Sequence, residues 1–238
     1  MRKENRGKLY ARYIKRFLDI AVSAAGFILF SPVALLCVLG IKLDDPTGSI
    51  LFTQERNGKD GKVFRVIKFR TMKKELSGGS VAAYEDTLTP VGKIMRKLSL
   101  DEYPQLINIL RGDMSLIGPR PLPVRYYGSF NRKELRRFEV RPGLTGLSQI
   151  NGRANLNWDQ RFEMDVEYVD HLSFWMDIKI FLKTIPAVFS HRDVMLDSGT
   201  ENFDDYRRKQ LEQQRINEVR KLLANDNADI FRSKGMGA

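Results

Sequence analysis

The chain has 238 residues, a length for one domain or one domain with an appendage, and its net charge of +11 calls for a polyanionic partner. One cysteine, Cys37, and two histidines exclude an intramolecular disulfide and leave too few soft ligands for a structural zinc site. A reducing compartment fits, and metal chemistry would fall to carboxylate and phosphate oxygens, the donors magnesium takes.

Residues 1–16 hold seven Lys or Arg and one Glu, a segment attracted to anionic lipid headgroups. No short apolar core with a small-residue cleavage site comes after it, which argues against a signal peptide. Ile20 to Ile41 is 22 residues without a charge, enough to cross a bilayer at about 1.5 Å per residue. Ser31-Pro32 interrupts it at the midpoint, where proline removes a backbone bond and bends a helix. Residues 1–41 carry 7 Lys/Arg and 2 Asp/Glu, and the remainder is also net positive, so the positive-inside rule gives no reason to export the downstream residues. A single span and a re-entrant hairpin that returns to the face it entered both fit, with Ser31 able to occupy backbone groups freed at the bend. A soluble core helix fits worst.

Lys42 to Met72 reads as extended. Ile50-Leu51-Phe52 and Val63 to Phe69 are strand-like, with Asn57-Gly58 and Asp60-Gly61 as turn signals between them. In a strand, Lys68 and Arg70 share one face, suited to a diphosphate or simply to solvent. Lys73 to Thr87, around Ser77-Gly78-Gly79-Ser80, reads as a mobile loop. Thr89-Pro90 then opens a short helix whose Val91, Ile94, Met95 and Leu98 form one apolar stripe, fit for a core or for a membrane surface.

The stretch from Arg96 to Pro121 organises the rest. Asp101 and Glu102 are adjacent carboxylates at a predicted helix start, either capped by a Ser99–Glu102 capping box or with Asp101 itself as the cap. Leu106, Ile109 and Leu110 supply the buried face, and Arg111-Gly112 ends the helix. The positive end of a helix favours ionised carboxylates and also welcomes phosphate. Arg96 lies upstream, and a rigid Gly118-Pro119-Arg120-Pro121 turn brings a second guanidinium downstream.

Tyr126 to Val140 is predicted as a helix with a basic face of Arg132, Lys133, Arg136 and Arg137. Gly143 to Arg153 reads as a loop whose glycines would let backbone approach a nucleotide. Asn157 to Tyr168 is predicted helical, with Asp165 a candidate acid behind or facing a metal. In Trp175 to Phe189, the residues Trp175, Ile178, Phe181, Leu182, Ile185 and Phe189 make an apolar side flanked by Lys179 and Lys183, a pattern for an interfacial helix or for buried core. Glu201 to Ala224 reads as an exposed helix without a sustained heptad.

Three ordered blocks carry a resemblance: Lys68-Phe69-Arg70-Thr71-Met72, Asp101-Glu102-x-Pro104-Gln105-Leu106-x-Asn108 through Gly118-Pro119-Arg120-Pro121, and Arg141-Pro142-Gly143 through Asn151-Gly152-Arg153. From about Arg16 to about Phe189 the chain resembles the bacterial sugar transferases, the small monotopic phosphoglycosyl transferases. The resemblance implies an α+β fold, mostly helical, with a re-entrant membrane helix kinked at Ser31-Pro32, a small β-hairpin and amphipathic interfacial helices. The corresponding organisation is a basic segment 1–16, a membrane helix 17–42, a catalytic domain 43–190 on the cytoplasmic face of the bacterial inner membrane, and a helical extension 191–238.

It further implies transfer of a phosphosugar from a UDP-sugar to undecaprenyl phosphate with release of UMP, as the first membrane step of glycoconjugate assembly. Asp101 is then the expected nucleophile, forming a covalent aspartyl-phosphosugar, and an expected ligand of Mg2+. Glu102 orients it or the lipid acceptor. Lys68, Arg70, Arg96, Arg120 and Arg153 are the expected phosphate-binding cations. The sugar stays open, as does a homodimer. A membrane-tethered nucleic-acid binder or scaffold is the alternative, but no nucleic-acid module is recognisable and basic residues do not interleave with an aromatic platform, so no nucleic-acid partner is expected.

Overall fold

The uncharged run does not form one straight helix. In the computed structural model, which describes residues 9–73, 87–152, 156–189 and 202–235, a π-helical turn Tyr10–Ile14 leads into α1, Lys15–Leu29. A second helix, α2, Ser31–Asp44, leaves it at a bend of 59°. No single helix among the described residues is long and apolar enough to cross a membrane; the bent pair reaches that length and apolar composition only when its two helices are taken together. At the bend the helical ladder lapses: Phe30 N–H bonds back to Gly26 at 3.0 Å, and the next such bond is Ala34 N–H to Phe30 at 2.9 Å. Pro32 has no N–H to offer the Ile28 carbonyl, and the Ser31 hydroxyl donates to it instead at 2.7 Å.

The pair keeps much of its apolar surface outward, with Phe17 70%, Ile28 74% and Leu36 67% exposed. The buried side of α1 is polar at Lys15, Asp19 and Ser23, while α2 buries Cys37 and Ile41. Lys15 Nζ lies 2.7 Å from Asp177 Oδ2, and the Tyr10 and Tyr168 hydroxyls both donate to the same carboxylate. Asp19 accepts the Leu116 N–H at 3.0 Å. With charges buried, each of these partners is needed, since an unpaired one costs several kcal/mol, roughly 3–5 for a broken buried pair.

Strands β1, Leu51–Asn57, and β2, Val63–Phe69, form an antiparallel hairpin in register Leu51↔Phe69 to Asn57↔Val63. The turn uses the left-handed backbone of Asp60 (φ 57) and Gly61 (φ 73). Helix α3, Pro90–Lys97, starts on the expected cap, the Thr89 hydroxyl accepting from Gly92 N–H at 2.9 Å. Its predicted stripe is divided: Met95 is buried and Val91 packs on Cys37, Ile41 and Phe69, whereas Ile94 and Leu98 face outward.

Helix α4, Gln105–Arg111, ends at Gly112 in the left-handed region, as its sequence predicts. Leu106 and Ile109 are buried with Val66 and Met114, and Leu110 is half-buried. A second sheet has no counterpart in the sequence pattern. Strands β3, Ser115–Ile117, and β4, Gly143–Thr145, run parallel, paired Ser115↔Gly143 and Ile117↔Thr145. The predicted 143–153 loop is therefore a strand followed by a short helix, α5, Leu147–Ile150. A Cβ on Gly143 would collide with Gly118 backbone, so the close approach its glycine permits is to the Gly118 turn.

The single helix expected over Tyr126 to Val140 is instead two 3-10 segments, Val124–Ser129 and Glu134–Glu139. Asn131 and Glu134 exchange side-chain to backbone hydrogen bonds at 2.9 and 2.8 Å between them, a local alternative to a helical ladder. Helix α6, Trp158–Asp170, starts on an Asn157–Gln160 capping box, and α7, Phe174–Phe189, comes next. The core-facing side of α7 is narrow, holding Asp177 and Ile180, while Trp175 (77% exposed), Leu182 and Ile185 point outward. The described residues divide into a unit within 1–200 and another within 201–238. The second is α8, Phe203–Gly235, which extends beyond the predicted end at Ala224 and is exposed throughout 211–221.

Candidate active site

The two adjacent carboxylates do not cap a helix. Ser99 takes a left-handed conformation (φ 56) with no side-chain cap, Asp101 and Glu102 occupy a 3-10 turn, Leu100–Glu102, and the N-cap position of α4 is Pro104. The capping box fails because the Glu102 carboxylate is taken by cations from elsewhere in the chain, and Asp101 is no cap because the helix starts only after Pro104. Lys68 Nζ lies 2.6 Å from Glu102 Oε1 and 3.6 Å from Asp101 Oδ2. Arg120 Nη2 reaches the same Glu102 oxygen at 3.2 Å.

These charges separate the two acids. Burial alone would raise Glu102, but Lys68 and Arg120 more than offset it and hold Glu102 down at about 2. Burial pushes Asp101 above the ordinary carboxylate value, helped by the neighbouring Glu102 and opposed by Lys68, Arg96 and Arg120. Glu102 is thus a permanent anion locked to two cations. Asp101 is buried, carries no hydrogen bond from a described residue, and is the more basic carboxylate.

The cations arrive by separate routes. Lys68 comes from β2, which is fastened to α4 by Asn108: its amide oxygen accepts from Ile67 N–H at 3.0 Å and its amide nitrogen donates to Arg65 carbonyl at 2.8 Å. Fully buried, Asn108 acts as a short substitute strand and sets the distance from Lys68 to the dyad. Arg96 donates from Nε to the Thr71 hydroxyl at 2.9 Å and sits close enough to lower Asp101. A Cβ on Gly92 would strike the Thr71 backbone, so α3 lies directly against this segment.

Arg120 is held through its backbone. The buried Arg137 donates to the Arg120 carbonyl at 2.7 Å and to Asp165 Oδ2 at 2.8 and 3.1 Å, while Ser148 donates to Asp165 Oδ1 at 3.2 Å. The Arg137 guanidinium lies 5.4–5.5 Å from the Phe130, Phe138 and Phe162 ring centres. Arg137 is therefore internal and leaves the predicted basic face, and Asp165 answers it instead of facing a metal. Burial still raises Asp165, with Arg137 opposing.

Arg70 does not join the cluster. Its guanidinium is packed over Gly48 and paired with Asp45 at 2.6 Å, and with Thr47 it pulls Asp45 down to about 2. Arg153 lies outside the described residues, as do most of the predicted 73–87 loop and residues 1–8 of the basic segment. Sequence reasoning gave no site role to Asn108, Thr71, Arg137 or Asp45. Asn108 and Thr71 had a signal only as members of the quoted sequence blocks.

Among the described residues no three or more His, Cys, Asp or Glu side chains converge to hold a metal by themselves. The arrangement is instead two acids and three cations, able to receive a phosphorylated substrate and neutralise charge on it. Comparisons with known proteins agree. A family profile described as bacterial sugar transferase matches residues 10–191. An uncharacterized sugar transferase, EpsL, of Bacillus subtilis is 44% identical over 74% of this chain and 87% of its own. A UDP-glucose:undecaprenyl-phosphate glucose-1-phosphate transferase of Caulobacter vibrioides is 42% identical over 74% of this chain and 70% of its own. A UDP-N-acetylgalactosamine-undecaprenyl-phosphate N-acetylgalactosaminephosphotransferase of Aeromonas hydrophila is 41% identical over 76% of this chain but 45% of its own. By the extent of the profile and of these identities, the chain belongs to the bacterial sugar transferase family.

Proposed function

We propose that the protein transfers a sugar 1-phosphate from a UDP-sugar to undecaprenyl phosphate, and that the aspartate of the buried pair is the nucleophile. The observation that carries this reading is the unequal state of the two acids. Glu102 is fixed by Lys68 and Arg120, and Asp101 beside it accepts no hydrogen bond from a described residue while lying within reach of the same cations.

An Asp101 oxygen attacks the sugar-side phosphorus of the diphosphate. The bond from that phosphorus to the bridging oxygen breaks, and UMP leaves with the bridging oxygen. A phosphate oxygen of the lipid acceptor then attacks the acyl phosphate, the Asp101–phosphorus bond breaks, and the polyprenyl-diphospho-sugar departs. Lys68, Arg96 and Arg120 stabilise charge on the transferring group and on the leaving phosphate. Glu102 keeps Lys68 and Arg120 in place and orients the acceptor. Asp101, an oxygen donor of the kind magnesium takes, would help hold that ion, which would supply further charge neutralisation on the diphosphate.

The exposed apolar sides of α1, α2 and α7 support a re-entrant, monotopic seating in the cytoplasmic leaflet, with α3 and α7 at the headgroup level. In that seating the acids would face the level at which a lipid phosphate emerges. The test is a panel of UDP-sugars with undecaprenyl phosphate and magnesium, read as nucleotide release and as intact mass. The expected result is UMP and an added hexose-phosphate mass that Asp101→Asn abolishes. Release of UDP, or full turnover by Asp101→Asn, overturns the mechanism.

A further inference from the structure

The residue after the pair of acids is a tyrosine, and its side chain leaves the site. The Tyr103 hydroxyl donates to the Phe27 carbonyl at 2.6 Å, across 76 positions of sequence. That carbonyl is one the bend has orphaned. In an unbroken helix it would accept from the N–H of Ser31, but the ladder stops at the Phe30–Gly26 bond and resumes at Ala34–Phe30. Two carbonyls freed at the break are thus satisfied by side chains: Ile28 by the local Ser31 hydroxyl, and Phe27 by a tyrosine belonging to the catalytic turn. In an apolar setting an unmet carbonyl is costly, so this second bond is a strong constraint.

The ring reinforces it. Tyr103 stacks on Phe27 (centroids 5.4 Å, planes 17° apart) and on Phe69 (6.1 Å, 6°). Phe69 is the neighbour of Lys68, and Tyr103 is the neighbour of Glu102. One stack of three rings therefore joins the bend, the turn carrying both acids, and the strand that delivers their lysine.

We infer that Tyr103 is a positioning residue that couples the bent helix pair to the geometry of the acids, so that the Asp101–Glu102–Lys68 arrangement is held in working register only while the bend is formed. The inference rests on the proposed transfer reaction for its kinetic readout. Its structural readout stands without it.

The test is a double-mutant cycle on the full-length protein in lipid nanodiscs. Tyr103→Phe keeps both ring contacts and removes only the hydroxyl. Pro32→Ala restores a backbone donor at the break and relaxes the bend. Losing one hydrogen bond to this partly buried carbonyl is expected to slow turnover about tenfold, with KM for the UDP-sugar unchanged. In the Pro32→Ala background the same substitution is expected to add no further loss, because the straightened helix returns the Phe27 carbonyl to the Ser31 N–H. Hydrogen exchange at 26–31 and at 100–103 is expected to rise together in Tyr103→Phe.

Wild-type turnover by Tyr103→Phe, or losses that multiply across the cycle, would reduce Tyr103 to ordinary packing and overturn the coupling. Exchange that rises in only one of the two segments does the same. If the wild type transfers no phosphosugar from any donor, the proposed reaction fails, and the paired exchange measurement still decides the coupling.

Discussion

Lys68 is the best place to test the electrostatics of the site. It is the largest attractive influence on both acids, 2.6 Å from one and 3.6 Å from the other, with its side chain 23% exposed. Lys68→Met keeps the length of the side chain and removes the charge. Glu102 sits at about 2 against an ordinary 4.5, a net stabilisation of its anion worth about 3 kcal/mol at roughly 1.4 kcal/mol per unit, left after Lys68 and Arg120 have offset burial. Breaking a buried pair typically costs about 3–5 kcal/mol, the same order. Without Lys68, Arg120 and Arg96 are the cations left to oppose burial. The values of both acids rise, and a proton is retained on Asp101 at pH where the wild type has lost it. A protonated carboxyl does not attack phosphorus, so turnover falls, by about a hundredfold if some 3 kcal/mol of charge stabilisation is lost.

The assay is the pH dependence of kcat/KM for UMP release. Its acid limb is expected to move to higher pH in Lys68→Met, with part of the lost rate regained on raising the pH. An acid limb that stays in place, with loss at every pH alike, would mean that Lys68 only binds substrate, and would refute the assignment of Asp101's proton affinity to this contact.

Glu102→Gln moves the same limb the other way: Glu102 raises Asp101, and its removal also frees Lys68, so the Asp101 value falls and the limb shifts to lower pH even as the rate drops. An upward shift would contradict the charge assignment. Arg120→Ala is expected to weaken both UDP-sugar binding and rate, each by about tenfold, on the scale of about 1.5–3 kcal/mol for a charged hydrogen bond; unchanged binding and rate would remove Arg120 from the site. Arg137→Met leaves Asp165 buried without its cation and should destabilise the fold by about 3–5 kcal/mol, read as a lower Tm in detergent. Replacing Asp165 by Asn in that variant should recover part of the loss, and an unchanged Tm in the single variant would refute the role of the pair.

What could be read in the sequence was local. Thr89-Pro90 opens α3, Gly112 closes α4, Asp60-Gly61 turns the hairpin, and Ser31-Pro32 coincides with the bend, because each acts through its own backbone. The convergence of Asp101, Glu102, Lys68, Arg96 and Arg120 was reachable from motif resemblance. The fates of individual cations were not. Lys68 and Arg70 are equivalent in strand alternation, yet only Lys68 meets the acids, since the bare Gly48 leaves space in which Arg70 turns to Asp45. Arg137 is one of four basic residues in its segment, and it is buried because Phe130, Phe138 and Phe162 surround it. The capping box failed for the same kind of reason: tertiary cations compete for a carboxylate more strongly than a local N–H does.

These long-range contacts have a common logic. Arg16, early in α1, donates to the Ile109 and Leu110 carbonyls at the end of α4, at 2.5 and 2.9 Å. Phe27, late in α1, receives Tyr103 from just before the start of α4. The two helices therefore lie antiparallel and are pinned at both ends, and the Arg16 end also satisfies carbonyls that a helix terminus leaves open. A helix of seven residues is only about 10 Å long and has little stability of its own. Pinned in this way to the longer α1, it becomes a rigid mount for the turn that precedes it. In the proposed reaction this ties the acids to the helix proposed to lie against lipid, an arrangement suited to one substrate dissolved in water and another confined to a membrane.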